Sequence, residues 1–262
     1  MNLNLTHKRA LVTGSTEGIG RAIAQSLAAE GVRVIINGRN RQKAQAIADT
    51  LPGATVAIGD LSTPEGAAQV IAEVRAGGPL DILINNVGFF EVKPLARLED
   101  ADWQSMFDRN VMSSVRMAKA FFPEMLQRGT GRIIFVASEQ SVKPHPEMLH
   151  YAMTKAAQVS ISRGLAELTR GSGVTVNSVL VAPTWTEGVE RFLDDAAHES
   201  GTTREALRED FFKNGDGSAS LLGRHARPEE IAAQITFLCS PQASAINGAA
   251  QRVDGGIIRA ML

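Results

Sequence analysis

Cysteine is almost absent from this sequence, with Cys239 the single example in 262 residues. A lone cysteine excludes an intrachain disulfide framework, and its setting in Ile235-Thr236-Phe237-Leu238-Cys239 reads as the inner face of a helix. Tyrosine is as scarce, with Tyr151 alone. No sign of charge predominates: 27 basic residues offset 28 acidic ones without long runs. That balance excludes the field expected of a nucleic-acid or anionic-membrane binder and leaves a small molecule as the expected partner. No apolar run is long enough to span a bilayer, and the opening residues lack the apolar core of a signal peptide. The expectation is a cytoplasmic protein with no membrane partner.

Short apolar runs rich in β-branched residues alternate with longer segments of helical period. The runs at 9–13, 33–36, 55–58, 82–84, 132–137, 175–180 and 250–253 read as strands buried on both sides. This pattern predicts an α/β fold, a doubly wound parallel sheet with helices on both faces. Gly31 is placed to end the first helix in a left-handed conformation, and Pro228 to open the last long one. No repeat or linker divides the chain, so residues 1–262 read as one domain. An insertion at about 185–225 interrupts the alternation. It carries two amphipathic segments, 189–193 and 207–212, joined by Gly201-Thr202-Thr203, and fits a substrate lid or an oligomer contact.

After the first strand comes Thr13-Gly14-Ser15-Thr16-Glu17-Gly18-Ile19-Gly20, followed by a helical pattern whose first amides face back toward the turn. Such a turn binds anions. Glycines at 14, 18 and 20 suit a sharp strand exit, backbone approach to a pyrophosphate and close packing of helix on sheet. The spacing alone also fits an ordinary turn, but its place at the first strand-to-helix junction points to a dinucleotide. The second strand ends in Asn37-Gly38-Arg39-Asn40, with no carboxylate for a ribose hydroxyl. Gly38 leaves room there, and Arg39 offers a guanidinium for a 2′-phosphate, which favours NADP(H) over NAD(H); a solvated Arg39 is the alternative.

Tyr151 and Lys155 are four apart in a helical segment running to about 170, so they share a face. A phenol of pKa ~10 exchanges protons poorly at neutral pH, and an adjacent ammonium favours the phenolate. Ser138 closes an apolar strand where it can orient a carbonyl oxygen. Taken singly, these features also fit a surface helix and a capping serine.

Assembled, Thr13-Gly14-x-x-x-Gly18-Ile19-Gly20, Asp60-Leu61 and Asn85-Asn86-Val87-Gly88, with Asn110, Ser138, Tyr151 and Lys155, resemble the motifs of the classical short-chain dehydrogenase/reductase family over the whole chain. The resemblance implies a seven-stranded Rossmann-type sheet, a homotetramer, and hydride transfer between a nicotinamide cofactor and a carbonyl or alcohol. It implies a catalytic set of Asn110, Ser138, Tyr151 and Lys155: Tyr151 exchanges the proton, Ser138 positions the oxygen, Lys155 holds the nicotinamide ribose and lowers the tyrosine pKa, and Asn110 holds a relay water. Cofactor contacts implied include Gly14, Ser15, Thr16, Gly18, Ile19, Gly20, Asp60, Leu61, Asn86, Val87, Gly88 and Thr186, besides Tyr151 and Lys155.

Two departures stand out. Val181-Ala182 replaces the family's Pro-Gly, which puts the turn before Thr186 in question. Glu139-Gln140 follows the serine, and with Ser138, Tyr151 and Trp185 forms the expected substrate contact. His145 and His150 lack metal-ligand spacing, so no metal is expected. The expected activity is carbonyl reduction with NADP(H); an NAD-dependent alcohol dehydrogenase of the same fold and a non-catalytic dinucleotide sensor are the alternatives.

Overall fold

A computed structural model describes residues 2–261. The N-terminal half runs β1 (Arg9–Val12), α1 (Gly18–Ala29), β2 (Arg33–Gly38), α2 (Arg41–Ala48), β3 (Thr55–Ile58), α3 (Pro64–Ala76) and β4 (Ile82–Asn85). It continues through α4 (Asp100–Phe107), α5 (Ser113–Arg128), β5 (Thr130–Ser138), α6 (Leu149–Glu167) and β6 (Gly173–Val181). The chain finishes with α7 (Glu187–Ser200), α8 (Arg204–Lys213), α9 (Pro228–Leu238) and β7 (Ala250–Val253).

The described strands form one seven-stranded sheet, ordered β3-β2-β1-β4-β5-β6-β7, with every pairing parallel. Alternate residues of each strand feed opposite layers, which is why these runs are apolar throughout. Val12, Ile84 and Ile134 pack with Ile23, Leu27 and Ile235 on the α1/α9 side. Leu11, Leu83 and Phe135 pack with Val70, Phe121 and Met125 on the other. The strand order reverses direction between β1 and β4, so the crevice at their carboxyl ends is the topological switch point where open α/β sheets bind ligands. The glycine turn and the Asn86 to Gly88 segment both leave the sheet there.

Gly31 has φ +79° and ends the first crossover as the sequence predicts. The strands at β2, β5 and β6 run longer than their apolar cores, so Ser138 belongs to β5 itself. The helix of Tyr151 ends at Glu167 rather than near 170. In the insertion, the two amphipathic segments are the centres of longer helices. Thr186 and Thr203 cap α7 and α8 by accepting from the Val189 and Ala206 amides, and Gly201, φ +67°, separates them. Cys239 lies just past α9, buried, with burial pushing its thiol up to about 12.

Candidate active site

The glycine turn is held from both neighbouring strands. Asn37, buried at the end of β2, accepts from the Gly14 amide at 3.1 Å and donates to Ala57 O at 2.9 Å, while Ser15 Oγ donates to Val12 O. From β4, Asn86 Nδ2 donates to the carbonyls of Thr13 and Gly14 at 2.9 and 3.1 Å. Thr13 Oγ1 accepts from the Asn86 and Val87 amides. Gly14 and Gly18 adopt φ +60° and +56°. At Gly20 a Cβ would stand 2.3 Å from Gly14 O, so this turn and α1 approach closely only because residue 20 has no side chain.

An anionic oxygen already sits on this cradle, and it belongs to the chain. Glu187, in the first turn of α7, accepts from the Gly18 amide at 3.0 Å and pairs with Arg21 at 2.6 Å. Partial burial works to raise its carboxyl, but the backbone amides and Arg21 hold it below the usual carboxylate range. Arg191, one turn on, pairs with Glu17 at 2.8 Å. Thr186 lies against Gly18, its methyl 3.2 Å from where a Cβ would stand. The turn therefore fits the pyrophosphate of a dinucleotide: the Gly18 amide and the Arg21 guanidinium already hold an anionic carboxylate there.

At the far end of this crevice, Arg39 is 74% exposed and 3.9 Å from Asp60. Asp60 Oδ1 accepts from the Ser62 amide and hydroxyl, and the Leu61 side chain is buried in the core. Gly38 does not leave the room expected of it, because a Cβ there would come within 2.7 Å of Thr16 Cγ2.

On the other flank, β5 delivers Ser138 and α6 delivers Tyr151 and Lys155. Ser138 lies beside the Tyr151 phenol, and its hydroxyl donates to Glu139 Oε2 at 2.5 Å. Gln140 Nε2 donates to the second Glu139 oxygen at 3.2 Å, and its own carbonyl is fixed by the His145 amide. Glu139 is 5% exposed, and burial raises its carboxyl against the hydrogen bonds from Ser138 and Gln140. Lys155 Nζ donates to Val136 O at 3.0 Å and Gln158 Oε1 at 3.1 Å, and stands 5.6 Å from the Tyr151 ring centre. Burial lowers its amine to about 8, with Glu139 opposing.

This corrects one sequence expectation. The Tyr151 phenol is not lowered by Lys155 here: burial, then the Glu139 charge, push it up, because Lys155 is turned toward Val136 O and Gln158. Tyr151 rests as the protonated phenol.

Asn110 sits in a single wide turn between α4 and α5 and is fully buried. Its side chain exchanges hydrogen bonds with the Phe89 backbone at 2.8 and 2.9 Å and donates to Thr154 Oγ1 at 3.0 Å. Its carbonyl accepts from Gln158 Nε2 at 2.7 Å. Gly88 is packed against the lysine, Nζ lying 3.3 Å from a Cβ built there. The fold thus gathers Asn110, Ser138, Tyr151 and Lys155 around one point beside the crevice.

Trp185 is placed differently from the other expected substrate contacts. Its indole donates to Glu190 at 2.8 Å, its ring meets His225 edge-on, and Arg208 lies over it, so it ties the insertion helices to the strand-like segment before α9. Val181 and Ala182 are buried, and Ala182 continues the β7 pairing through Val253 O at 2.9 Å. Among the described residues only Asn4 and His7 are non-glycine residues with positive φ, so the turn after β6 makes no demand for glycine. His150 is buried 3.4 Å from Glu91, and the described residues contain no acidic, histidine or cysteine cluster suited to a metal.

Three contributors escape a reading of the sequence. Asn37 leaves a trace as a polar residue ending an apolar strand, and Gln158 as a polar residue on the buried face of α6. Glu187 leaves none, since its partner lies 169 positions away.

Residues 8–197 match the short chain dehydrogenase family. The chain is 49% identical to an uncharacterized oxidoreductase of Bacillus subtilis, YvrD, over 100% of both chains. It is 34% identical to the 3-oxoacyl-[acyl-carrier-protein] reductase of Escherichia coli, over 97% of this chain and 99% of that one. The L-sorbose reductase of Gluconobacter frateurii, solved with NADPH and L-sorbose, superposes with TM-score 0.93 at 31% identity, covering 100% of both. With the sheet order, the glycine cradle and the Tyr151 site in agreement, the chain belongs to the short-chain dehydrogenase family of oxidoreductases.

Proposed function

We propose that this protein reduces a carbonyl compound to an alcohol, with NADP(H) as cofactor. The observation that carries this reading is Tyr151, held as a phenol by burial with Ser138 and Lys155 beside it, next to a crevice whose cradle already binds an anionic oxygen. When bound, the cofactor supplies the hydride. Ser138 holds the substrate oxygen, and Tyr151 gives it a proton. Lys155, fixed next to Gly88, is placed for the nicotinamide ribose, Thr186 for the carboxamide, and Asn110 braces the Phe89 segment that borders the site.

Gly14, Ser15, Thr16, Gly18, Ile19 and Gly20 hold the pyrophosphate side, with Asn86 and Val87 at the crevice floor. Asp60 and Leu61 take the adenine end. Arg39 is free to turn from Asp60 to a 2′-phosphate, which supports NADP(H), as does the NADPH of the L-sorbose reductase. Ser138, Glu139 and Gln140 face the substrate, with Trp185 anchoring a lid over 185–225. Relatives point to a ketose or a 3-oxoacyl thioester as the class of carbonyl. A single domain, a homotetramer and a cytoplasmic location complete the proposal; solution mass tests the assembly.

The test is direct binding of NADPH and NADH, followed by a screen of L-sorbose, acetoacetyl-coenzyme A and aryl ketones for cofactor oxidation, with Tyr151→Phe as control. Tighter NADPH binding and Tyr151-dependent turnover are expected. Binding without any turnover favours the dinucleotide sensor, and preferential NADH use favours the NAD-dependent alcohol dehydrogenase.

A further inference from the structure

Aromatic residues make up 5% of this chain, yet three of their rings form a row that starts at the reacting phenol. Phe90 meets Tyr151 edge-on with 6.5 Å between ring centres, and Phe192 meets Phe90 edge-on at 5.7 Å. The row joins two parts of the fold, since Phe90 follows β4 and Phe192 belongs to α7 of the insertion. Phe90 is held through its neighbour, whose backbone exchanges two hydrogen bonds with the buried Asn110 side chain. Phe192 is held through α7, which Arg191 and Glu187 pin to Glu17 and Arg21 at 2.8 and 2.6 Å. Phe89 takes no part, because the Arg109 guanidinium covers its ring at 4.1 Å.

The fold does not use these two phenyl rings for its own core. Among the described residues, the buried clusters and the side chains packed against them include neither Phe90 nor Phe192. Phe192 keeps 39% of its surface exposed. Apolar rings left in water beside a reacting group mark a surface that a ligand covers. Phe90 touches the ring whose phenol gives its proton to the substrate oxygen, so the group that covers this row is carried on the reacting carbonyl carbon.

We propose that Phe90 and Phe192 determine specificity, and that they select an uncharged ketone with an aryl or alkyl group beside its carbonyl. This rests on the reductase reading above, and it narrows the carbonyl to a class other than a ketose or a 3-oxoacyl thioester. A ketose would set hydroxyls against rings that offer them no hydrogen bond. The polar groups beside Ser138 do not replace those bonds: both Glu139 oxygens accept already, from Ser138 and Gln140, and the Gln140 carbonyl accepts from the His145 amide. A 3-oxoacyl thioester brings the phosphate of its carrier arm. Lys93, Lys143 and Arg191, the first cations after Phe90, Gln140 and Glu187, are paired with Asp102, Asp216 and Glu17 at 2.6, 2.7 and 2.8 Å. An aryl or alkyl group makes neither demand, and it buries apolar area against both rings.

The experiment measures kcat/KM with NADPH for acetophenone, L-sorbose, acetoacetyl-coenzyme A and hydroxyacetone in wild type, Phe192→Ala, Phe192→Leu and Phe90→Ala. Wild type is expected to prefer acetophenone to L-sorbose and to acetoacetyl-coenzyme A by roughly ten-fold or more; an equal or reversed preference overturns the proposal. Phe192→Ala is expected to lose roughly ten- to hundred-fold toward acetophenone, chiefly in KM, the effect of one large apolar side chain withdrawn from a ligand. Hydroxyacetone, whose one-carbon substituents do not reach the row, should change by less than about two-fold, and NADPH binding should match wild type. Phe192→Leu should recover part of the loss, and Phe90→Ala should reproduce its selectivity. Equal losses for acetophenone and hydroxyacetone would mean that the rings only hold the insertion in place, and they overturn the proposal, as does an unchanged acetophenone constant. Wild type that reduces no carbonyl fails the reductase reading and the selectivity with it, whereas active wild type without the acetophenone preference fails the selectivity alone.

Discussion

Glu187 and Gly18 are joined by a 3.0 Å hydrogen bond that places a carboxylate of the insertion on the first amide of α1. A bound pyrophosphate and this carboxylate compete for the same donors and repel each other. Glu187→Gln is therefore expected to tighten NADPH binding, on the order of ten-fold, given that each 1.4 kcal/mol is a factor of ten. A fluorescence titration checks it; equal or weaker binding would mean that the carboxylate swings clear at no cost.

Tyr151→Phe keeps the ring that meets Phe90 edge-on but removes the phenol oxygen. Reduction is expected to fall by about 100-fold or more while NADPH affinity stays within a factor of about two. A variant that retains wild-type turnover would remove Tyr151 from the chemistry.

For cofactor choice the informative position is Arg39 rather than Gly38, where any side chain meets Thr16. Arg39→Ala should weaken NADPH by roughly ten-fold, the scale of one charge-assisted hydrogen bond at an exposed site, and leave NADH unchanged. Parallel titrations with both cofactors decide it, and equal losses for the two would detach Arg39 from the 2′-phosphate.

His225 is boxed by Trp185, Phe211 and Phe212, and burial, aided by the Arg208 charge, pushes its imidazole down to about 4. The folded state thus prefers the neutral ring. Unfolded chains take up this proton near pH 6.5 and folded ones only near 4, so the stabilisation is complete above 6.5 and declines as pH falls through that interval. Limited proteolysis between α7 and α8 should accelerate over the same window in wild type and lose that dependence in His225→Gln; acceleration in both would point to another group.

Gly20→Ala and Gly164→Ala should have opposite signs. The first drives a methyl into Gly14 O and Ser15 Cα and should cost about 1–3 kcal/mol along with cofactor binding. The second sits inside α6 with open space around it and should gain about 0.5–1 kcal/mol. Denaturant melts of the two variants test the pair, and a neutral Gly20→Ala would show that the turn can move away from α1.

The parallel sheet was legible because burial on both faces leaves strands with no polar positions to blur them, and the Tyr151 group because its members recur at fixed spacing along β5 and α6. What the sequence did not disclose were distances between segments. Lys155 was expected to act on Tyr151 from one helical turn away, yet two of its three ammonium donors go to Val136 O and Gln158. The expected room at Gly38 vanished for a similar reason, since Thr16 fills it from another loop. Trp185 looked like a substrate contact by chain position, and only the approach of Glu190, Arg208 and His225 shows what its indole holds together.

Cys239 gives the protein a built-in counter of its own unfolding. The sole thiol is buried just past α9 and pushed up to about 12, so in native molecules it is shielded and not ionised at neutral pH. A thiol reagent in solution will therefore label only chains whose last crossover has opened, and the labelling rate reads the free energy of that opening directly.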